Sequence, residues 1–305
     1  MANGILIVDK PAGWTSQDVA AKLRGVFHEK RVGHGGTLDP MATGVLPIFM
    51  GRATRAVPFF EHADKVYEAT LCLGLVTDTQ DITGRALEEH PVDITQEQLE
   101  AVLASFRGEI QQIPPMYSAI KVNGQKLYAL ARKGKEVERA SRPVTIFGLE
   151  LLSDDECRDE HCSSADKQCL SLQTNIRLRV HCSKGTYVRT LCHDIGAALG
   201  CGGCMAALRR TRAGRYGIEQ AHTPEEILAA PDPKVLLLPV DSLFSDRPAL
   251  TVNEAAERKL RNGAAVSTLN AVNGEYRVYS QSGEFLALCA VADGELTTVK
   301  SFFEV

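Results

Sequence analysis

Asp39 is the single carboxylate in the stretch VGHGGTLDPMATGVL, Val32 to Leu46, and His34, five residues before it, is the single imidazole. Glycines, threonines and Pro40 surround the acid, and Asp39-Pro40 is a turn-initiating dipeptide. Two readings compete. The loop is a glycine-rich turn closed by an Asx side chain, or it is a rigid mount that presents a carboxylate where backbone can come close to a ligand. No second acid lies nearby, which disfavours a hydrolase working with paired carboxylates. A guanidinium beside Asp39 would keep the acid ionised and aimed. Arg189, in KGTYVRTL at the expected start of a helix, can be that cation or a solvated helix residue. Tyr67, in the middle of KVYEATLCLG, can be a core tyrosine or a platform on which a base stacks.

These side chains need elements to hold them. GILIVD reads as a buried strand that KPAGW breaks. Ser16 is the expected N-cap of a helix with Val19, Leu23, Val26 and Phe27 at helical spacing. GVLPIFMG, Gly44–Gly51, contains Pro47 and is expected to be an edge or irregular strand. KVYEATLCLG alternates, so Tyr67, Ala69, Leu71 and Leu73 share one face. TQEQLEAVLASFRG predicts a helix: Thr95 and Gln98 make a capping box, Leu99, Val102, Leu103 and Phe106 the apolar stripe, and Gly108 the stop. Asn123-Gly124 signals a hairpin. Strands resume at PVTIFGLELL and NIRLRVHC, and GTYVRTLCHDIGAALG turns into a helix with Val188, Leu191 and Ile195 inward. The class expected is α+β with a mixed, mostly antiparallel sheet. Past RPALTV, short strand-like runs alternate with glycine turns, so residues 246–305 read as a small β-rich domain appended to a domain of residues 1–245.

Hydrophobic and charged contents of 44% and 24% are those of an ordinary soluble chain. The start, MANGILIVDKPAGW, does not read as a signal peptide. No stretch approaches the roughly 18 to 20 apolar residues of a membrane span. A cytoplasmic protein without a membrane partner is expected, with its nine cysteines mostly reduced. The net charge of −4 argues weakly against nucleic acid, but distribution decides electrostatic binding. Lys30-Arg31, the +5 segment Lys121–Arg142 and LRRTRAGR (Leu208–Arg215) are basic, while SDDECRDEH is acidic. Such segregation fits phosphate binding that weakens with salt. Cys157, Cys162, Cys169 and His161, and the pair Cys201 and Cys204, match no regular zinc ribbon or finger, so incidental thiols and no metal are expected. Walker A, GxGxxG and HExxH patterns are absent, and nothing calls for a nucleotide cofactor or catalytic metal.

GHGGTLDPMATGVLP closely resembles the catalytic motif of the tRNA pseudouridine synthase B (TruB) family. GILIVDKPAGWTS, KVYEATLCLGLVTDTQDITG, IPPMYSAIKVNGQKLYALARKG, CSKGTYVRTL and LGCGGCMAALRRTRAG match in order, over nearly all of residues 3–220. The resemblance implies the pseudouridine synthase fold with a small C-terminal PUA-like RNA-binding domain. It implies an isomerase that converts uridine to pseudouridine at position 55 in the T-loop of tRNA. The base leaves C1′, rotates, and rejoins through C5. No cofactor is implied, because there is no net redox change or group transfer. Asp39 takes the place of the essential aspartate; attack on C1′, attack on C6 and assistance of elimination to a glycal all stay open for it. Tyr67 matches the tyrosine packed on the target base, and Arg189 the arginine paired with the aspartate. His34 matches the histidine that keeps the loop nucleotides splayed out. Tyr187 and Leu208 fall at substrate-contact positions, and Lys10, in the DKP motif, completes the expected site. The basic insertion, about residues 114–143, matches the part that clasps the T-arm stem-loop in stand-alone enzymes, and a monomer is expected. Residues 153–170 depart from the family, being acidic and cysteine-rich where a short turn is usual. Two other readings are an RNA-guided catalytic subunit of the dyskerin type and a tRNA-folding chaperone whose chemistry is incidental.

Overall fold

The structure is a computed structural model that describes residues 2–118, 120–122, 124–131, 133–135, 137–152, 174–268 and 271–304. The cysteine-rich stretch 153–170, with Cys157, His161, Cys162 and Cys169, lies outside the described residues, as does Asn123 of the expected hairpin turn.

β1 (Gly4–Lys10) runs into the Pro11–Trp14 break and then α1 (Ser16–Phe27). Thr15 caps this helix, not Ser16: the Thr15 hydroxyl accepts from the Asp18 N–H and the Asp18 carboxylate accepts from the Thr15 N–H. Ser16 is thereby free for another task. Its buried hydroxyl accepts from Leu38 N–H at 2.9 Å and donates to Leu38 C=O at 3.3 Å, beside Asp39. β2 (Val32–His34) and β3 (Thr43–Met50) flank the Asp39 loop, and the short α2 (Val57–Phe60) leads to β4 (Lys65–Leu73). β5 (Leu75–Thr77) and β6 (Ala86–Glu89) pair with each other. α3 (Gln96–Ser105) carries the capping box of Thr95 and Gln98 and buries Leu99 and Leu103. β7 (Gly108–Gln112) follows, then a small hairpin of β8 (Lys121–Val122) and β9 (Gln125–Lys126), α4 (Leu127–Ala131), β10 (Arg142–Leu151) and β11 (Thr174–Cys182). α5 (Val188–Ala198), β12 (Gly203–Ala213), β13 (Tyr216–Gly217) and α6 (Pro224–Ala229) complete this part.

The main sheet has nine strands in the order β1-β3-β12-β4-β11-β10-β7, with β2 added to β3 and β13 to β12. Only β3 and β12 run parallel, at Thr43 and Gly44 against Arg209 and Arg210; the other pairs are antiparallel. β3 is therefore not an edge strand, despite Pro47. It lies along β1 on one side and meets β12 and then β2 on the other. The Pro47 carbonyl accepts from Gly35 N–H on that second side. A residue's N–H and C=O point the same way in a strand, so the missing donor of Pro47 falls in the gap between β12 and β2 and breaks no ladder bond to β1. One face of the sheet buries Tyr67, Ala69, Leu71 and Leu73 against Leu191 and Ile195 of α5. Ile5, Ile7, Val45 and Phe49 bury the other face under Phe60, Tyr216 and Phe244. α5 comes so close to β12 that a Cβ on Gly196 would lie 2.3 Å from Gly203 N, and this contact fixes the helix that carries Arg189 in its first turn.

The last part forms a five-stranded sheet, β14 (Ala249–Thr251), β15 (Val266–Ser267), β16 (Gly274–Tyr279), β17 (Phe285–Ala292) and β18 (Glu295–Ser301), in the order β14-β16-β17-β18-β15. With α7 (Glu254–Arg261) it encloses a cluster including Val252, Leu260, Val278 and Leu286. Phe302 and Phe285 meet Phe244 with ring centroids 5.8 and 6.3 Å apart, joining the two sheets. No helix among the described residues is long and apolar enough to cross a membrane.

Candidate active site

The Asp39 loop forms one wall of a cleft of about 780 Å³ that is also lined by Tyr67, Tyr187, Arg189 and Leu208. Residues 150 apart in sequence thus converge. Arg189 Nη2 lies 3.0 Å from Asp39 Oδ2 and 3.2 Å from Oδ1. The same nitrogen donates to the Tyr117 carbonyl at 2.9 Å, and Nη1 lies 3.7 Å from Asp81 Oδ2. Asp81 is buried and fixed by Thr79 Oγ1 at 2.9 Å, Thr83 Oγ1 at 2.6 Å and Thr83 N–H at 3.0 Å. One nearly buried guanidinium therefore serves two carboxylates. Burial pushes the Asp39 pKa above the usual aspartate value; Arg189 pulls it down, Asp81 pushes it up and Lys10 pulls it down again. The result is an acid held in a defined direction by Arg189 yet more basic than a solvated one. Its side chain keeps 35% exposure toward the cleft.

Lys10 does not line the cleft. It is wholly buried beneath the loop, and its Nζ donates to the carbonyls of Trp14 at 2.7 Å, Pro11 at 2.8 Å and Pro40 at 3.3 Å. Lys10, expected in the site, stands under it and props the loop at Pro40, next to Asp39. Burial brings its pKa down to about 8, against the pull of Asp39. His34 is also outside the lining residues; its Nε2 lies 3.3 Å from Gln17 Nε2, and burial lowers its pKa. Tyr67 stands on the cleft side of β4, nearly buried, its phenol pKa raised by burial. Tyr187 precedes α5 and is gripped by Gln112, which accepts from its N–H at 2.8 Å and donates to its C=O at 3.1 Å. Leu208 of β12 adds an apolar wall.

Sequence reasoning missed Asp81, Lys65, Arg210 and Ser16. Asp81 carried no usable signal, since TDTQDITG reads as a polar turn. Lys65 and Arg210 did carry one. Two residues from Tyr67 and from Leu208 in alternating strands, each had to share the inward face with an apolar neighbour. Both are buried and line the cleft. Burial, then the charge of Arg210, lowers the Lys65 pKa to about 8. Cys204 sits opposite Cys72 across β12 and β4, and the six described cysteines are buried.

Residues 24–188 match the model of the TruB family pseudouridylate synthase N-terminal domain, and residues 189–245 that of the tRNA pseudouridylate synthase B C-terminal domain. The tRNA pseudouridine synthase B of Ralstonia pickettii (strain 12J) is 44% identical over 263 residues, 86% of this chain and 79% of the relative. That of Azoarcus sp. (strain BH72) is 42% identical over 298 residues, 97% of this chain and 93% of the relative. Among solved structures, a Cbf5-Nop10-Gar1 complex contains a chain similar in fold, with TM-score 0.71 and 24% identity over 99% of this chain and 85% of that one. An H/ACA RNP bound to a substrate RNA containing 2′-deoxyuridine gives TM-score 0.70 at 22% identity, over 99% of this chain and 86% of that one.

Proposed function

As the chain belongs to the TruB family of pseudouridylate synthases, enzymes that form pseudouridine in tRNA, we propose that it acts on the T-loop uridine at position 55. The observation that carries this reading is the Asp39–Arg189 pair at 3.0 Å in a cleft shared with Tyr67. A base inside a folded loop must be turned out, at a cost of about a few kcal/mol. Stacking on Tyr67, worth about 1–3 kcal/mol, and contact with Leu208 and Tyr187 offset that cost. The C1′–N1 bond breaks, the uracil rotates within the cleft, and C1′ bonds to C5; the C5 proton leaves and N1 gains one. Asp39, aimed by Arg189, acts at the nucleoside by attack on C1′, by attack on C6 or by assisting elimination. His34 lies near enough to the loop to bear on the neighbouring nucleotides. The basic segment near 114–143 clasps the T-arm, and residues 246–305, as a PUA-like domain beside the catalytic domain of residues 1–245, extend the contact along the RNA. The protein works as a monomer.

The test is conversion of an unmodified tRNA transcript by the purified protein with no other RNA present, followed by mapping of pseudouridine. One new pseudouridine in the T-loop is expected. Conversion that requires an added guide RNA, or that falls elsewhere in the tRNA, contradicts the reading.

A further inference from the structure

Arg210 is 1% exposed, yet among the described residues it meets no carboxylate. Its neighbours in β12 do: Arg209 reaches Asp9 at 2.8 Å and Arg212 reaches Asp64 at 3.0 Å. A buried cation without a counter-ion is costly and needs another reason to stand there. The contacts of Arg210 supply it. Nε donates to the Val45 carbonyl at 2.7 Å and Nη2 to the Gly36 carbonyl at 3.2 Å. Gly36 precedes Asp39 in the loop, and Val45 follows it. The backbone of Arg210 grips the same loop a second time. It pairs with Gly44, whose φ is +99°, and a Cβ on Gly44 would lie 2.2 Å from the Arg210 carbonyl oxygen. On its other side Arg210 pairs with Tyr67 in β4. Cross-strand partners share a face with Cβ atoms about 5 Å apart, and both side chains line the cleft.

We infer that Arg210 is a positioning residue, a clamp that ties both ends of the Asp39 loop to the strand pair carrying Tyr67 and so sets the distance between the acid and the tyrosine. This rests on the function proposed above. It explains a charged residue in a position where an apolar one would pack more cheaply: the rigid plane of a guanidinium holds donors on separate nitrogens, Nε toward Val45 and Nη2 toward Gly36, on opposite ends of one loop. The proximity of the guanidinium also shows in the Tyr67 phenol, on which it acts by charge and hydrogen bonding against the effect of burial.

Arg210→Lys keeps the charge but loses the Nε donor and the rigid fork that serve Val45 and Gly36 from separate nitrogens. It is expected to lower single-turnover conversion of tRNA by about 100-fold, the scale of a 1 Å misplacement of reacting groups. The tRNA Kd should change less than threefold, and backbone amide exchange should speed up within residues 35–45 while the rest of the sheet keeps its protection. Wild-type turnover, or loss of turnover matched by an equal loss of affinity, or unchanged exchange in the loop, overturns the clamp. If Arg210→Lys does not fold, the wild-type guanidinium decides: its Nε–H and Nη–H signals in the NMR spectrum should exchange slowly with water and show hindered rotation, and fast exchange overturns the clamp. Absence of any conversion by the wild-type protein defeats the proposed function instead, and the amide-exchange and guanidinium measurements still decide the clamp by themselves.

Discussion

Asp39 ionises under opposed influences: burial and Asp81 push its pKa up, Arg189 and Lys10 pull it down, and burial prevails. The sign of the consequence follows by linkage. With the folded pKa above the unfolded one, the folded state binds more protons, so the fold loses stability as pH rises through the folded pKa and stays weakened above it. Asp39→Asn removes the charge, so it should melt higher than wild type at pH 7–8, with the gap closing toward pH 4. Equal melting at every pH would contradict the stated balance. Activity carries the same pKa: if turnover needs the carboxylate, its acid limb should lie above the pH of an ordinary aspartate. Tyr67 gives a second outcome at this scale. Tyr67→Leu removes the stacking face while keeping an apolar filling, and turnover is expected to fall about 10- to 100-fold with a much smaller change in tRNA affinity, as stacking worth about 1–3 kcal/mol allows. Single-turnover rates and filter-binding constants measured together check it, and equal losses would count against a role at the flipped base.

At the scale of elements, legibility followed how local the cause was. The Thr95–Gln98 capping box and the shared face of Tyr67, Ala69, Leu71 and Leu73 depend on neighbours within a few residues, and both could be read directly. Where two hydroxyls stand side by side, local rules do not choose between them: Thr15 took the cap because Ser16 was needed under Leu38. Pro47 suggested an edge because proline cannot serve a ladder on both sides, but β3 changes its neighbour there. The site was legible as residue types and not as contacts. Asp39 and Arg189 could be singled out, whereas their 3.0 Å approach and the link from Arg189 to Asp81 depend on the topology that brings β3, β4 and α5 to one cleft. The α5–β12 contact yields a prediction of its own. On Gly196→Ala, the new Cβ would meet backbone at 2.3–2.5 Å, which cannot yield as a side chain can. The helix must lift and carry Arg189 with it. A loss of about 1–3 kcal/mol in urea unfolding is expected, as for overpacked sites, with turnover at 25 °C falling further than the folded fraction explains. Unchanged turnover would mean that α5 does not set the position of Arg189.

For the whole molecule, a net charge of −4 has to coexist with a polyanionic substrate. The basic residues lie in short runs, seven Lys or Arg among them between Lys121 and Arg142, and it is the local distribution of charge, not the net sign, that decides attraction to a polyanion. Each cation that neutralises a phosphate steepens the dependence of log affinity on log salt by about 0.7–0.9. Replacing Lys133, Lys135 and Arg139 together by Gln should therefore flatten that slope for tRNA by about 2 and leave the turnover of saturated enzyme near wild type; an unchanged slope would place the RNA elsewhere. The aromatic contacts of Phe244 with Phe285 and Phe302 hold the C-terminal sheet against the main one, so RNA contacts on both would act as one surface. The proposed reaction requires Asp39 to act on a bound uridine. The most direct test is the single-turnover rate of Asp39→Asn on T-loop uridine, measured at saturating tRNA alongside the Kd. The prediction is no detectable pseudouridine with a Kd within about threefold of wild type, as for a group needed in the transition state and not in binding. Conversion at a normal rate by Asp39→Asn would contradict it.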